Sequence, residues 1–142
     1  LLLSGGVSAG KRDLVPAALT DLDVIKHLHG IEFKPGKPMW FGSRLGKLVF
    51  GLPGNPVSVL ACFEVFVRTA LRARQGVAEP RPVMIPMPLA IDVHYPTKRT
   101  TYHPARISRG EAGLVVEPVA WKGSPDLRAL SKANALVVFP IG

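Results

Sequence analysis

Residues 47–74 read KLVFGLPGNPVSVLACFEVFVRTALRAR and combine strand, loop and helix signals in that order. Lys47–Phe50 predicts a strand, and Leu52–Asn55 predicts a tight loop. Asn55 suits a helix N-cap, and Pro56 suits the first helical position. One wide apolar face follows at helical spacing, formed by Val59, Leu60, Phe63, Val67, Ala70 and Leu71. A strand that feeds a loop opening a helix indicates α/β architecture.

The flanks of this segment extend the same pattern. The helix carries Arg68, Arg72 and Arg74 towards its C-terminus, and Gly76 is placed to end it. Upstream, a glycine-rich loop at Gly5–Gly10 separates a strand end from a helix. The predicted strands are Leu1–Ser4, Val24–Leu28, Ile31–Phe33 and Met39–Phe41, and the predicted helix is Leu14–Leu22 with Pro16 in its first turn.

The character of the chain changes after residue 76. Residues 77–82 form a predicted linker, and residues 83–142 form a predicted small all-β domain, a barrel or a sandwich. Its expected strands are Val83–Val93, Thr97–Ser108, Leu114–Pro118 and Leu136–Phe139. Only Asp126–Lys132 has a helical pattern there. We therefore expect two units, residues 1–76 and residues 83–142.

The charge of the chain favours an anionic partner. The formal net charge is +8, with ten basic and six acidic residues in residues 1–79 and eight and four in residues 80–142. Basic residues are spread evenly and are not interleaved with aromatic residues, so we expect a phosphorylated metabolite or an oxyanion rather than nucleic acid. No apolar run approaches the roughly 20 residues of a membrane span, so no membrane partner is expected.

The remaining candidate groups carry weaker signals. Cys62, the one cysteine, rules out an intrachain disulfide framework, fits a cytoplasmic protein and is expected in the core. His27 and His29 lack neighbours with zinc-ligand spacing. We expect His94 and His103 at the surface. The tryptophans, Trp40 and Trp121, are expected to serve in packing or at an interface.

The first motif with a chemical meaning is Ser4-Gly5-Gly6-Val7-Ser8-Ala9-Gly10-Lys11-Arg12-Asp13. A glycine loop between a strand and a helix lets backbone N–H groups approach a phosphate or another oxyanion. It matches neither a dinucleotide fingerprint nor a P-loop, and a tight turn without a ligand is the structural alternative. Two roles stay open for Asp13, which can cap the following helix or help to hold Mg²⁺.

Two further motifs are rigid loops. In Lys34-Pro35-Gly36-Lys37-Pro38, prolines hold two lysines that can converge on a tetrahedral oxyanion, although a solvated basic turn is the alternative. Gly51-Leu52-Pro53-Gly54-Asn55-Pro56-Val57-Ser58 places a second potential anion site at a helix N-terminus. Helix capping explains Asn55 and Pro56 but leaves Pro53 and Gly54 without a structural reason.

These three motifs, in this order, resemble the molybdopterin molybdenumtransferases, the family that includes the E domain of gephyrin. The tail resembles the family's last domain more loosely, through Gly123, Ser124 and residues 130–136. The resemblance implies the C-terminal part of a three-layer α/β/α molybdopterin-binding domain, followed by a small barrel-like β domain. It also implies a longer polypeptide that is a homodimer, so we expect residues 1–142 alone to be inactive.

The resemblance places the family's functional residues on this chain. The acidic site residue falls on Asp13, which is also the expected magnesium ligand, and the loop lysine falls on Lys34, with Lys37 beside it. Some members have another lysine where this chain has Gly30, and Lys37 or Lys26 could substitute for it. The expected substrate-binding residues are Gly5, Gly6, Ser8, Gly10, Pro53, Gly54, Asn55, Pro56, Ser58 and Ser124.

The implied reaction is the insertion of molybdate into adenylylated molybdopterin, assisted by Mg²⁺, with release of AMP and molybdenum cofactor. One alternative is adenylylation of molybdopterin by a related enzyme, and the molybdopterin adenylyltransferase is also a possible partner. The other alternative is a scaffold that binds a receptor peptide, as gephyrin's E domain does.

Overall fold

The computed structural model describes residues 1–8, 10–11 and 13–141, in eight strands and four α-helices. The first part of the chain forms β1 Leu2–Ser4, α1 Val15–Asp21, β2 Ile25–His29, β3 Phe33–Lys34, β4 Trp40–Arg44, β5 Lys47–Leu52, α2 Pro56–Cys62 and α3 Arg68–Arg74. A π-helical turn, Phe63–Val67, joins α2 to α3. The second part forms β6 Thr100–Gly110, β7 Gly113–Pro118, α4 Leu127–Lys132 and β8 Ala135–Phe139.

The first sheet has the strand order β1-β5-β4-β2. β1 runs parallel to β5, with Ser4 opposite Leu52, and the other neighbours are antiparallel. Because parallel strands end at the same edge of a sheet, the glycine-rich loop after β1 and the Pro53 loop after β5 lie side by side.

Alternation along β5 gives this sheet two buried faces. Val49 packs in a cluster with Val7, Leu19 and Trp40, beneath α1. The next residue, Phe50, faces the opposite cluster, which contains Met39, Leu52, Ala61, Cys62 and Val67. This cluster lies beneath the long helix, which consists of α2, the π-helical turn and α3 together. Helices therefore cover both faces of the described sheet, as the expected α/β/α arrangement requires.

The long helix follows the sequence pattern closely. Glu64 and Arg68 form the expected pair at 2.5 Å, and Gly76 has φ +79° just past the end of α3. The N–H groups of Gly76 and Val77 donate to the carbonyls of Ala73 and Arg72, which closes the helix with a Schellman motif. The prediction for Asn55 needs a correction: it occupies the N-cap position, but its side chain makes no capping hydrogen bond.

The second sheet is open and uses one strand from the first part of the chain. Thr101 in β6 pairs with Lys34 of β3 on one edge and with Phe139 of β8 on the other. Ala105 pairs with Pro118 of β7 and with Ala135 of β8, so β3 and β7 share one edge of β6. No pairing between β7 and β8 closes a barrel among the residues that the structure describes.

The strand predicted at Val83–Val93 is absent from the structure, which shows a single bridge there, from Leu89 to Val116. This segment contains Pro86 and Pro88, which have no N–H to donate, and Val83 and Ile85 are 79% and 72% exposed. Apolar composition predicted a strand where little backbone pairing occurs.

In the described part of the chain, no helix has the length and apolar character needed to cross a membrane.

Candidate functional site

A cleft of about 290 Å³ lies where the two sheets meet. Four chain segments contribute to it: the lysine loop (residues 34–38), the Pro53 loop with the start of α2, the turn before β6, and the segment after β7. Its lining residues are Lys34, Pro35, Gly36, Lys37, Pro38, Pro53, Asn55, Ser58, Arg99, Trp121, Gly123 and Ser124. We call it the cationic cleft, because Lys34, Lys37 and Arg99 are its charged side chains.

The lysine loop is anchored at both ends by backbone hydrogen bonds. Lys34 pairs with Thr101 of β6, and the N–H of Ile31 donates to the carbonyl of Lys37 at 2.9 Å. The N–H of Met39 donates to the carbonyl of Gly36 at 3.1 Å, and the Lys34–Pro35 peptide bond is cis. These contacts direct Lys34, which is half-buried, and Lys37, which is exposed, into one cleft.

Gly36 lies directly over the long helix and leaves no room for a side chain. Its φ is +137°, and a Cβ there would lie 2.4 Å from Cys62 Sγ. Burial raises the pKa of the Cys62 thiol to about 12, so the thiol stays protonated. Cys62 is therefore a core residue, as predicted, that supports the loop from below.

Ser124 is held against the start of the long helix by two hydrogen bonds. The Asn55 amide Nδ2 donates to Ser124 Oγ at 2.9 Å, and the Val57 N–H donates to the Ser124 carbonyl at 3.1 Å. The Ser124 carbonyl thus takes over one of the free N–H groups at the helix N-terminus. Asn55 links the two parts of the chain instead of capping its own helix.

Arg99 enters the cleft from a turn that sequence reasoning passed over. Thr97 Oγ1 donates to the Arg99 carbonyl at 2.7 Å and accepts from the Arg99 N–H at 3.3 Å. The hydroxyl of Thr101, which is fully buried, donates to the same carbonyl at 3.0 Å. These bonds fix the Arg99 backbone, and Arg99 lines the cleft together with the lysine loop.

The positive charge of the cationic cleft is not balanced by an acidic side chain among the described residues that line it. Its lining contains three cationic side chains and no carboxylate. The ion pairs found among the described residues, Arg44–Asp23 and Arg68–Glu64, both lie elsewhere. Since uncompensated cations around a concave site attract an anion, the cleft suits a small oxyanion or a phosphate group.

An aromatic cluster stands behind the cleft, and it includes His103. The prediction of a surface position for His103 is wrong, because its side chain is 7% exposed. Its ring lies perpendicular to Trp121 at 4.8 Å and to Tyr95 at 5.3 Å, and Nδ1–H donates to the Pro104 carbonyl at 2.8 Å. Burial, together with the nearby charge of Lys34, lowers the pKa of His103, although the bond to Pro104 opposes this effect.

The glycine-rich loop lies next to the Pro53 loop but does not line the cationic cleft. The Gly5 N–H donates to the Leu52 carbonyl at 2.9 Å, and Ser4 Oγ donates to the Pro53 carbonyl at 3.3 Å. Gly5 also packs against Gly54, since a Cβ on Gly5 would be 3.9 Å from the Gly54 Cα. The two loops are therefore in contact through their glycines, with Ser8 and Gly10 exposed.

Asp13 closes the glycine-rich loop instead of capping α1. The N-cap position belongs to Leu14, and Asp13 Oδ2 accepts from the Gly10 N–H at 2.8 Å. The first helical N–H, that of Val15, donates to the Gly6 carbonyl at 3.2 Å. The capping alternative for Asp13 is therefore wrong, and one carboxylate oxygen has no partner among the described hydrogen bonds.

The cleft contains residues that the sequence did not single out. Arg99 and Trp121 line it, and Trp121 Nε1–H donates to the Gly123 carbonyl. Arg99 follows Lys98 in an irregular segment and carries no periodic signal, so its proximity to Lys34 could not be read from the sequence. Gly30, which stands where some members of the resembling family have a lysine, has φ +86°. Of the two lysines that could substitute for that residue, Lys37 lines the cleft whereas Lys26 does not.

Comparison with known proteins agrees with this arrangement. Residues 1–73 match the family described as "Probable molybdopterin binding domain", and residues 86–142 match "MoeA C-terminal region (domain IV)". The chain belongs to the molybdopterin-binding domain family.

Two of its relatives carry a specific name. It is 34% identical over 143 residues to the molybdopterin molybdenumtransferase of Synechocystis sp., covering 99% of this chain and 34% of that protein. It is 35% identical over 147 residues to molybdopterin molybdenumtransferase 2 of Mycobacterium tuberculosis, covering 99% and 35%. The chain thus spans about a third of the length of these curated relatives.

A solved structure shows the same fold. The MoeA molybdopterin biosynthesis protein from Pyrococcus horikosii superposes with a TM-score of 0.72 at 28% identity, covering 98% of this chain and 32% of that one. The α/β architecture followed by a small β-rich part is therefore confirmed.

Proposed function

We propose that the protein acts in molybdenum cofactor biosynthesis as a molybdopterin molybdenumtransferase, which inserts molybdate into adenylylated molybdopterin and releases AMP. The observation that carries the proposal is the cationic cleft, where Lys34, Lys37 and Arg99 converge without a carboxylate. Molybdate is a tetrahedral dianion, and three donors of this kind can bind it from different sides. The names of the relatives support the same reaction.

The chemistry of the cleft residues follows from their charge and position. The lysines and Arg99 bind the oxyanion and offset the negative charge that develops when the phosphate anhydride breaks. Ser58 and Ser124 supply hydroxyl groups at the same wall. Pro35, Pro38 and Pro53 limit loop motion, which keeps the cations in place before the substrate arrives.

Titration of molybdate onto the full polypeptide tests this assignment. We expect Lys34→Ala and Arg99→Ala each to weaken binding by about 10-fold to 100-fold, because a hydrogen bond to a charged group contributes about 1.5–3 kcal/mol. The insertion rate at limiting molybdate should fall in parallel, whereas the thermal unfolding midpoint should stay close to that of the wild type.

Matched controls separate the cleft from general charge. Lys47 and Arg109 are exposed residues of the β4–β5 and β6–β7 hairpins. Lys47→Ala and Arg109→Ala each remove one positive charge outside the cleft, so the affinity of these variants for molybdate should equal that of the wild type. Equal losses in all four variants would show that only net charge matters, and unchanged kinetics in Lys34→Ala would refute the assignment.

Magnesium fits the glycine-rich loop, beside Asp13, only in combination with the substrate. Among the described residues, no three His, Cys, Asp or Glu side chains form a group that could hold a metal. Asp13 offers one carboxylate oxygen beyond its bond to Gly10. Mg²⁺ commonly takes one or two carboxylates and completes its shell with phosphate oxygens and water. We propose Asp13 as that ligand, and the ion would polarise a phosphoryl oxygen when bound.

The glycine-rich loop is proposed to bind the nucleotide-bearing part of the substrate, through Gly5, Gly6, Ser8 and Gly10. Its contact with Gly54 makes it continuous with the Pro53 loop, where Gly54 and Pro56 adjoin the cleft residues. A related adenylylation reaction also suits a glycine loop. The cationic cleft favours insertion, because Arg99 and Ser124 come from the second part of the chain.

We infer a division into residues 1–76, a linker at 77–82, and residues 83–142, supported by family matches that end at residue 73 and begin at residue 86. We also infer a cytoplasmic homodimer, with contact to the molybdopterin adenylyltransferase or a receptor peptide as further options. The molecular mass of the full polypeptide in solution tests the dimer.

A further inference from the structure

Tyr95 makes a contact with the cationic cleft that no sequence motif indicated. The Lys34 ammonium Nζ donates to the Tyr95 hydroxyl at 3.4 Å, and it lies 5.4 Å from the centre of the ring. The shorter distance is to the oxygen, so the hydroxyl is the main partner. In the described part of the chain, this is the side-chain hydrogen bond that holds Lys34.

The Tyr95 ring is itself held on two sides. It stacks on Phe139 of β8 at 4.8 Å with an interplanar angle of 22°, and it stands perpendicular to His103 at 5.3 Å. Its neighbours His94 and Pro96 are exposed, whereas Tyr95 is half-buried. Tyr95 thus packs its part of this irregular segment against the second sheet, and its hydroxyl has a defined position.

We propose that Tyr95 is a positioning residue, which holds the Lys34 ammonium at the cleft wall in the orientation that receives a tetrahedral oxyanion. A lysine side chain has four rotatable bonds, and a fixed acceptor at its end reduces the conformations lost when the anion binds. A hydroxyl is suited to this role because it accepts a hydrogen bond without cancelling the charge, as a carboxylate would. This inference rests on the proposed function of the cleft.

The variant Tyr95→Phe tests it, because the ring and its packing on Phe139 and His103 are kept. Tyr102→Phe is the matched control, since Tyr102 stacks on Phe33 at 4.6 Å and lies outside the cationic cleft. In the full polypeptide, Tyr95→Phe should weaken molybdate binding by about threefold to tenfold, the effect of a long hydrogen bond to a charged group. Tyr102→Phe should leave it unchanged, and both variants should unfold at the wild-type temperature.

A second measurement does not depend on molybdate. The acetylation rate of Lys34 by acetic anhydride, followed by peptide mass spectrometry, reports how firmly the amine is held. We expect Tyr95→Phe to raise this rate at least twofold, with the rate at Lys47 unchanged as an internal reference.

The outcomes separate the two proposals. Weaker binding and faster acetylation in Tyr95→Phe support the positioning role. If Lys34→Ala weakens binding but Tyr95→Phe changes neither readout, the cleft assignment stands and the role of Tyr95 is refuted. If the wild type binds no molybdate, the proposed function fails, and the acetylation ratio alone then decides whether Tyr95 holds Lys34.

Discussion

The glycine-rich loop and the cationic cleft occupy neighbouring positions but are built on different principles. The loop is closed by its own backbone and by Asp13, with Gly10 and Val15 donating inside it. The cleft is formed by segments far apart in the chain, and its three cations lack an acidic partner among the described residues. A short-range motif thus shapes the backbone, whereas the concentration of charge depends on contacts between distant residues.

The largest effect that bears on this comparison is expected from Gly36→Ala. A Cβ would lie 2.4 Å from Cys62 Sγ and 3.0 Å from Phe33 Cδ1, on a backbone with φ +137°. Overpacking and backbone strain together should lower the free energy of unfolding by about 2–5 kcal/mol. Urea denaturation of the full polypeptide measures this loss, and molybdate affinity should fall with it because Lys34 and Lys37 move.

Gly46→Ala is the control for backbone strain alone. Gly46 also has a positive φ, +73°, but nothing lies within 4 Å of an added Cβ. We expect a loss of about 1 kcal/mol from the left-handed conformation, without any change in affinity. Equal losses in the two variants would mean that the packing of Gly36 on Cys62 does not support the cleft.

A smaller effect is expected from Asp13→Asn in the glycine-rich loop. The amide oxygen can still accept from the Gly10 N–H, so the free energy of unfolding should change by less than about 0.5 kcal/mol. Removal of the charge should lower the insertion rate about tenfold, which corresponds to about 1.4 kcal/mol. It should also raise the magnesium concentration that the reaction requires. Activity and a magnesium requirement equal to those of the wild type would leave Asp13 with loop closure alone.

The smallest effect concerns pH and His103, behind the cleft. Burial lowers the pKa of His103 below its usual 6.5, so the folded state favours the neutral ring. The stability from this group is complete above pH 6.5 and is lost as pH falls towards the lower, folded-state pKa. Between pH 7 and pH 5 we therefore expect the free energy of unfolding to fall as the pH is lowered.

Urea denaturation at several pH values checks the role of His103. His103→Gln should flatten the pH dependence in this window, whereas His94→Gln, at an exposed position, should retain it. If both variants keep the wild-type slope, another group is responsible for it.

Much of the fold was predictable because its signals are local. Pro56 begins the long helix and Gly76 follows its end, where the structure has them, and the Glu64–Arg68 pair forms as spacing requires. The segment Val83–Val93 was mispredicted because an apolar strand pattern requires a partner with matching backbone donors. Pro86 and Pro88 reduce the donors, and the structure pairs only Leu89.

The candidate site divides in the same way. The rigid loops were predictable from local chemistry, because proline fixes φ and glycine permits positive φ, and these loops indicated Lys34, Lys37, Pro53 and Ser58. The positions of Arg99 and Tyr95 near Lys34, the bond of Asn55 to Ser124 and the burial of His103 depend on long-range packing. The hydrogen bonds of Tyr95 and Asn55 join residues 61 and 69 positions apart, and the two parts of the chain meet through the pairing of β3 with β6, which no periodicity in the chain encodes.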